Sequence, residues 1–175
     1  MIEASIPIQL VVTDRQCTAE TIATHNNITL TRVERNSYGK DFDRDTYTCE
    51  VRDVLIDHEI DIIAMAGFGT ILNKPIYDDF SNRILNTHPS LLPSFPGWHA
   101  VEEALEYGVK VTGCTVHIAT EEVDAGPILA QESIPVLKDD TKETLHERIK
   151  TVERQLYVDT INKIIATNGQ IERDQ

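Results

Sequence analysis

The chain has 175 residues and a mass of 19.7 kDa, and its 41% hydrophobic residues supply enough apolar material for the core of one globular domain. Its 16 lysines and arginines stand against 29 aspartates and glutamates, and the resulting formal net charge of −13 disfavours a nucleic-acid partner. Because no apolar run reaches the roughly 18 residues of a membrane span and the N-terminus lacks a secretory signal, we predict a cytoplasmic protein without a membrane partner.

The first half of the chain alternates predicted strands with predicted helices. Val51, Leu55 and Ile56 supply part of an apolar stripe on the longer helix, which Asp43 caps. The run at 61–66 is continuously apolar after its first residue, a pattern typical of a strand buried on both faces of a parallel sheet. In order, the predicted elements are strand 8–12, helix 18–25, strand 28–33, helix 43–58 and strand 61–66.

The second half continues this alternation and ends in the longest predicted helix. Its elements are helix 74–80, strand 83–86, a proline-rich loop 87–97, helix 98–107, strands 111–119 and 128–136, and helix 141–166. On the last helix an apolar face repeats at steps of 4, 3 and 4, through Leu145, Ile149, Val152 and Leu156. This order predicts one α/β domain over residues 1–175, built on an open, mostly parallel sheet flanked by helices.

Cysteine and histidine spacing favours neither a disulfide framework nor a metal site. Cys17, Cys49 and Cys114 contain no CxxC pair and are odd in number, so we predict buried thiols. A nucleophilic cysteine is a weaker alternative, because the sequence shows no activating base beside any of them. The six histidines lack HxxxH and HExxH spacing, and we therefore predict no metal.

Polar residues follow several of the predicted strands. Ligands bind beyond the carboxyl ends of strands in open α/β sheets, so the loops after Ala66, Asn86 and Ala119 are the places to search. Asn86 and His88 leave one strand together, and Asp124 sits in the loop after another. Taken singly, His88 is more typical of a packed or solvated histidine than of a catalytic one. Asp124 alone is at least as typical of a residue that stabilises a turn.

The run NTHPSLLPSFPG at 86–97, followed by GCTVH at 113–117 and EVDAGPI at 122–128, resembles the phosphoribosylglycinamide formyltransferase family. The resemblance extends from about residue 8 to the last helix. It implies the Rossmann-like formyltransferase fold and transfer of a formyl group from 10-formyltetrahydrofolate to the amine of glycinamide ribonucleotide, an early step of purine synthesis.

By this resemblance, Asn86, His88 and Asp124 match the catalytic residues of the family. Attack of the amine on the formyl carbon places negative charge on the carbonyl oxygen, which the Asn86 amide and a protonated His88 would stabilise as hydrogen-bond donors. Asp124 would favour the charged form of His88 and help to collect the proton of the amine.

The resemblance also implies the binding residues. The nucleotide substrate would contact Lys150, Thr151, Val152 and Glu153, although Glu153 alone is equally typical of an exposed helix carboxylate. The segment at 69–72 often reads Met-Arg-Ile-Leu in the family, so the loss of bulk and charge here predicts altered folate affinity. The implied folate contacts are Arg44, Gly69, Thr70, Ile71, Leu72, Asn86, Thr120, Glu121, Glu122, Val123 and Asp124. Residues 67–69 lack the third glycine of a dinucleotide fingerprint, so we infer no nicotinamide cofactor.

One family feature lacks a counterpart in the sequence. Family members begin with a strand and a Ser-Gly-x-Gly loop that cradles the substrate phosphate, whereas the strand at 8–12 resembles the family's second strand. We therefore expect an N-terminally shortened transferase with weakened nucleotide binding, in which an open strand edge favours association, with a homodimer as one form. The alternatives are a formyltetrahydrofolate deformylase, a methionyl-tRNA formyltransferase, which charge and length disfavour, and a folate-binding module without catalysis.

Overall fold

The computed structural model describes residues 1–167, which divide into two compact units. The first unit comprises Met1–Ile63 and Gly67–Arg83, and the second comprises Ala64–Ala66 and the chain from Ile84 onward. None of the helices within the described part combines the length and apolar character that crossing a membrane requires.

The first unit is built on a small parallel sheet. Strand β1 (Leu10–Thr13) pairs with β2 (Thr29–Arg32) in a register that sets Leu10 against Thr29. Helix α1 (Thr18–His25) connects the two strands, as a parallel pair requires a crossover. The unit also contains a 3-10 turn (Ile2–Ala4), helix α2 (Arg44–Asp57) and helix α3 (Lys74–Asp79).

Helix α2 begins where the sequence predicts, because the Asp43 side chain accepts a hydrogen bond from the Thr46 N–H at 3.1 Å. Its buried face repeats every four residues through Tyr47, Val51 and Leu55. Ile56, predicted to lie on the apolar stripe, is 48% exposed. That prediction was wrong, because Ile56 lies one residue, or about 100° around the helix, beyond the buried face.

The second unit carries the larger sheet, in the order β3-β4-β5-β6. The pairings of β4 with β5 and of β5 with β6 are antiparallel. The structure confirms the predicted fold class of open α/β sheet flanked by helices, with parallel pairing in the first unit and antiparallel pairings here. The elements are β3 (Ile63–Ala64), β4 (Ile84–His88), α4 (Ala100–Tyr107), β5 (Val111–Ile118), β6 (Ile128–Pro135) and α5 (Lys142–Ala166).

Helix α5 covers this sheet with the face that the sequence predicts. Thr141 caps it by accepting a hydrogen bond from the Thr144 N–H, and Leu145 and Ile149 are fully buried one turn apart. They form a cluster with α4, β5 and β6 through Val101, Cys114 and Ile134, against which Val152 and Leu156 also pack. The cluster packs β5 and β6 against the two helices, and β4 is joined to β5 by antiparallel pairing.

The structure corrects two further predictions. The strand expected at 61–66 is reduced to Ile63–Ala64, and Ala64 and Ala66 are exposed rather than buried on both faces. Within the described residues, β3 is an edge strand of its sheet. The apolar run at 61–66 is therefore less buried than a central strand would be. The prediction of buried thiols is confirmed for Cys114, whereas Cys49 is half-buried and Cys17, which precedes the first turn of α1, is exposed.

Candidate active site

Strands β4 and β5 gather three polar side chains on one face of the second unit. Asn86 and His88 are two residues apart in β4, so their side chains point the same way. The antiparallel register sets Asn86 directly opposite His117 of β5, and residues so opposed share a face. Asn86 is half-buried, whereas His88 and His117 are buried.

Asp124 reaches these side chains from the loop between β5 and β6. Its φ of +56° lies in the left-handed region that residues other than glycine seldom adopt. Two residues later, Gly126 packs so tightly that an added Cβ would lie 1.8 Å from the Ile118 carbonyl oxygen. Close packing therefore holds the loop in a strained conformation, as is common at functional sites.

The Asp124 carboxylate faces both histidines and fixes a second loop. One oxygen, Oδ2, lies 3.2 Å from His88 Nδ1 and accepts a hydrogen bond from the Gly97 N–H at 2.7 Å. The other, Oδ1, lies 3.6 Å from His117 Nε2. The side chains of His88 and Asp124 are only 5% and 6% exposed, so water screens their attraction weakly.

Both ring nitrogens of His88 face hydrogen-bond acceptors. Nδ1 faces the Asp124 carboxylate, and Nε2 donates to the Phe95 carbonyl oxygen at 2.7 Å. A carbonyl oxygen can only accept, so both contacts are satisfied together when His88 carries a proton on each nitrogen.

The surroundings of His117 favour a neutral ring. Its Nδ1 donates to the Ile118 carbonyl oxygen at 3.0 Å, which leaves Nε2 as an acceptor 3.4 Å from the Asn86 amide nitrogen. Burial lowers the pKa of His117, although the backbone contact and Asp124 oppose this effect. A neutral His117 thus accepts from Asn86 and fixes the orientation of its amide.

Sequence reasoning did not assign a role to His117, although it stands inside the GCTVH motif. Its register opposite Asn86 is the signal that could have identified it, but strand register is set by hydrophobic pattern and loop length and is hard to read from residue types alone. The structure brings the three predicted residues, Asn86, His88 and Asp124, together around it.

Helix α5 brings Glu153 to Thr87 of β4, on the face of the strand opposite Asn86 and His88. Burial raises the pKa of Glu153, while the Thr87 hydroxyl and the positive charge of His88 oppose this effect. Its neighbours have other contacts, since Lys150 pairs with Glu147 at 2.9 Å and Val152 packs against the hydrophobic cluster. Thr151 is exposed and hydrogen-bonds the helix backbone. Of the four predicted nucleotide contacts, Glu153 is the one whose carboxyl meets β4.

The predicted folate contacts lie in both units. In the second unit, the Thr120 hydroxyl donates to the Glu122 carbonyl oxygen at 2.9 Å, and the side chains of Glu121, Glu122 and Val123 are exposed. In the first unit, Thr70 and Leu72 are buried, whereas Ile71 is 47% exposed and Gly69 is exposed. Arg44 is the exposed first residue of α2. The roles of these residues remain predictions.

Other chemistry has little support in the described residues. Within residues 1–167, no three His, Cys, Asp or Glu side chains are grouped as metal ligands. Burial raises the pKa of the Cys114 thiol to about 11, so this cysteine is a poor nucleophile near neutral pH.

Comparison with known proteins identifies the family. Residues 3–161 match the family model described as Formyl transferase. The chain is 45% identical over 156 residues to phosphoribosylglycinamide formyltransferase of Mycobacterium tuberculosis, which covers 89% of this chain and 71% of that protein. The solved glycinamide ribonucleotide transformylase 1 from Symbiobacterium toebii superposes with a TM-score of 0.83 at 37% identity, covering 91% of this chain and 76% of that chain.

A related enzyme with another name shares the architecture at lower identity. The formyltetrahydrofolate deformylase from Pseudomonas syringae superposes with a TM-score of 0.79 at 27% identity, covering 88% of this chain and 50% of that one. The family match over most of the chain and the higher identity to the transferases agree with the geometry of the site. The chain therefore belongs to the formyl transferase family, among the phosphoribosylglycinamide formyltransferases.

Proposed function

We propose that this protein transfers the formyl group of 10-formyltetrahydrofolate to the amine of glycinamide ribonucleotide, as a cytoplasmic enzyme of purine synthesis and one-carbon metabolism. The observation that carries the proposal is the His88–Asp124 pair at 3.2 Å, on the same face as Asn86. The names of its relatives support the choice of acceptor.

The first step is attack of the amine nitrogen on the formyl carbon. A C–N bond forms, and the formyl oxygen takes the electron pair of the carbonyl π bond. The Asn86 amide, oriented by His117, and the His88 imidazolium are the donors for this oxygen. Removing one such donor typically costs about 3–4 kcal/mol of transition-state stabilisation.

Collapse of the intermediate requires two proton transfers. The amine nitrogen loses a proton, for which Asp124 is the acceptor in the site, directly or through water. The C–N bond to the folate then breaks as the carbonyl re-forms, and the departing folate nitrogen takes up a proton from the imidazolium. Because His88 Nε2 donates to Phe95 in the structure, the reacting groups must replace that carbonyl as its acceptor.

Formyl transfer to glycinamide ribonucleotide, measured with the whole chain, tests this proposal. We expect His88→Ala and Asp124→Ala each to lower kcat at least about 100-fold. His25→Ala is the matched control, because His25 is an exposed residue of α1 that contacts the Thr21 carbonyl oxygen only. The site assignment is contradicted if an active parent protein and both variants transfer the formyl group at the same rate.

Hydrolysis of the formyl donor is the second candidate, favoured by the structural likeness to the deformylase. In both reactions, hydrogen-bond donors stabilise the negative charge on the formyl oxygen. The reactions differ in the nucleophile, which is an amine in the transferase and water in the hydrolase. Formate release in the absence of glycinamide ribonucleotide, at the rate seen with it, identifies the hydrolase. Dependence of turnover on the nucleotide identifies the transferase.

A further inference from the structure

The loop between β4 and α4, residues 89–99, contacts both members of the His88–Asp124 pair. The Phe95 carbonyl oxygen accepts a hydrogen bond from His88 Nε2 at 2.7 Å. The Gly97 N–H donates to Asp124 Oδ2 at 2.7 Å, and the same oxygen lies 3.2 Å from His88 Nδ1. The position of this loop therefore affects where both groups of the pair lie.

Phe95 presents its carbonyl oxygen from a strained backbone conformation. Its φ of +53° lies in the left-handed region, which a bulky side chain seldom adopts. A residue stays in such a conformation when the contacts around it over-determine it. The Phe95 ring meets that of Tyr107 at a centroid distance of 6.0 Å, but Tyr107 is an exposed residue. The loop therefore requires firmer anchors in the interior of the unit.

Thr115 of β5 is such an anchor. It is fully buried, and the strand register sets it directly opposite His88. Its hydroxyl donates to the Ser90 carbonyl oxygen at 2.7 Å and accepts from the Leu92 N–H at 3.1 Å. Gln131 of β6 donates to the same hydroxyl at 3.0 Å and to the Leu92 carbonyl oxygen at 2.9 Å. The Thr115 hydroxyl thus uses its one donor and both acceptor positions, and it joins β5 and β6 to the loop.

Ser90 connects this anchor to Phe95. Ser90 is also fully buried, and its hydroxyl donates to the Ser94 carbonyl oxygen at 2.5 Å and to the Phe95 carbonyl oxygen at 3.4 Å. The Ser94 N–H donates to the Leu91 carbonyl oxygen at 3.0 Å, which closes the turn between them. A continuous set of hydrogen bonds therefore leads from Thr115 to the carbonyl oxygen that His88 contacts.

We propose that Thr115 is a positioning residue that holds the His88–Asp124 pair in place through this loop. The proposal rests on the proposed function, because it assigns a role in the same formyl transfer. All hydrogen-bonding positions of the Thr115 hydroxyl are taken by the protein, so the hydroxyl has none left for a substrate. Asn86 is oriented directly by His117, its partner in β5, whereas His88 is positioned by its own partner through the loop.

Thr115→Val keeps the shape of the side chain and removes the hydroxyl. We expect kcat for formyl transfer to fall about 10- to 100-fold and KM for either substrate to change less than about threefold, because misplaced reacting groups lose rate rather than binding. Thr115→Ser retains the hydroxyl and should recover most of the parent kcat. An unchanged kcat for Thr115→Val overturns the proposal, as does a serine variant that is as slow as the valine variant.

Thr112→Val is the matched control for this change. Thr112 lies in the same strand and is 2% exposed, but its hydroxyl has no hydrogen-bond partner within residues 1–167. The control should therefore keep kcat within about twofold of the parent. Equal losses in the two valine variants show a general effect of altering β5 and overturn the proposal. Ser90→Ala tests the same path from the loop and should lower kcat about 3- to 10-fold, so the proposal stays testable if Thr115→Val does not fold.

A double-variant cycle separates positioning from a general loss of stability. Once His88→Ala has removed the ring, adding Thr115→Val should lower kcat less than about threefold further, because residues that act through one another are not additive. Losses that multiply overturn the proposal. The cycle is measured at a temperature at which urea unfolding shows that every variant is folded.

Nitrogen NMR of the His88 ring, in protein with labelled histidine, provides a readout that does not require activity. Thr115→Val should shift the Nε2 signal and Thr112→Val should leave it in place, because only the first change releases the contact with Phe95. An unmoved signal in Thr115→Val overturns the proposal. A shifted signal in a chain that never formylates glycinamide ribonucleotide keeps the placement of His88 by Thr115 and loses the proposed function. Formyl transfer that Thr115→Val leaves unchanged keeps the proposed function and loses the role of Thr115.

Discussion

Replacing Asp124 with asparagine removes one negative charge and keeps the size of the side chain. Asparagine tolerates the left-handed φ of +56°, and its carbonyl oxygen can still accept from the Gly97 N–H. The variant therefore preserves the loop and removes the charge that faces His88 at 3.2 Å. This makes it a sharper probe of the chemistry than alanine, which would also release Gly97.

The expected loss follows from the two roles of this carboxylate. A hydrogen bond to a charged partner contributes about 1.5–3 kcal/mol, and a positioned proton acceptor accelerates a reaction about 10²- to 10⁴-fold. We expect kcat for Asp124→Asn to fall about 10²- to 10⁴-fold, which corresponds to a barrier higher by roughly 3–5 kcal/mol. The unfolding midpoint should change much less.

The assay is formyl transfer to glycinamide ribonucleotide at saturating donor, followed for the variant, the parent and Asp159→Asn. Asp159 is an exposed carboxylate of α5 that contacts Gln155, so the control removes the same charge outside the site. A variant that retains a third or more of the parent rate would refute the assignment of Asp124 as the group that supports His88 and accepts the proton.

Further predictions concern the residues around this pair. His117→Ala should lower kcat about tenfold with little change in KM, and His117→Gln, which keeps an acceptor for Asn86, should recover part of the rate; an unchanged kcat for the alanine variant argues against its positioning role. Gly126→Ala should destabilise the protein by about 2 kcal/mol or more in thermal or urea unfolding, because the new Cβ meets the Ile118 carbonyl oxygen, and a neutral result contradicts the tight packing. Since burial raises the pKa of Glu153 in the folded state, its ionisation should weaken folding as the pH rises above the ordinary value of 4.5. The stability of Glu153→Gln relative to the parent should therefore increase from pH 4 to neutral pH, and a difference that does not change with pH counts against this account.

Local patterns predicted the elements well, since they are set by residues close together in the chain. The 18–25 helix, the Asp43 cap and the docking face of α5 all depend on such short-range signals. The apolar run at 61–66 misled the prediction, because burial depends on which strands lie alongside, and β3 stands at an edge. The prediction for Ile56 was wrong for a related reason, because three apolar residues do not define where the buried face of a helix ends.

The candidate site was predictable where a motif covers it and hidden where tertiary contacts form it. Asn86, His88 and Asp124 lie in segments of distinctive sequence, and the structure brings them together. The orientation of Asn86 by His117 follows from strand register. Register has no signature in residue spacing, so coordinates were needed to identify His117.

The carboxylate that faces two imidazoles has a wider consequence. His88 and His117 are the same chemical group, and one aspartate addresses each of them through a different oxygen. In each ring the nitrogen far from Asp124 donates to a carbonyl oxygen, of Phe95 or of Ile118. What distinguishes the rings is the near nitrogen, which in His117 also meets the amide of Asn86. A protein can thus obtain an acid and a neutral orienting group from a single residue type by changing only what surrounds each copy.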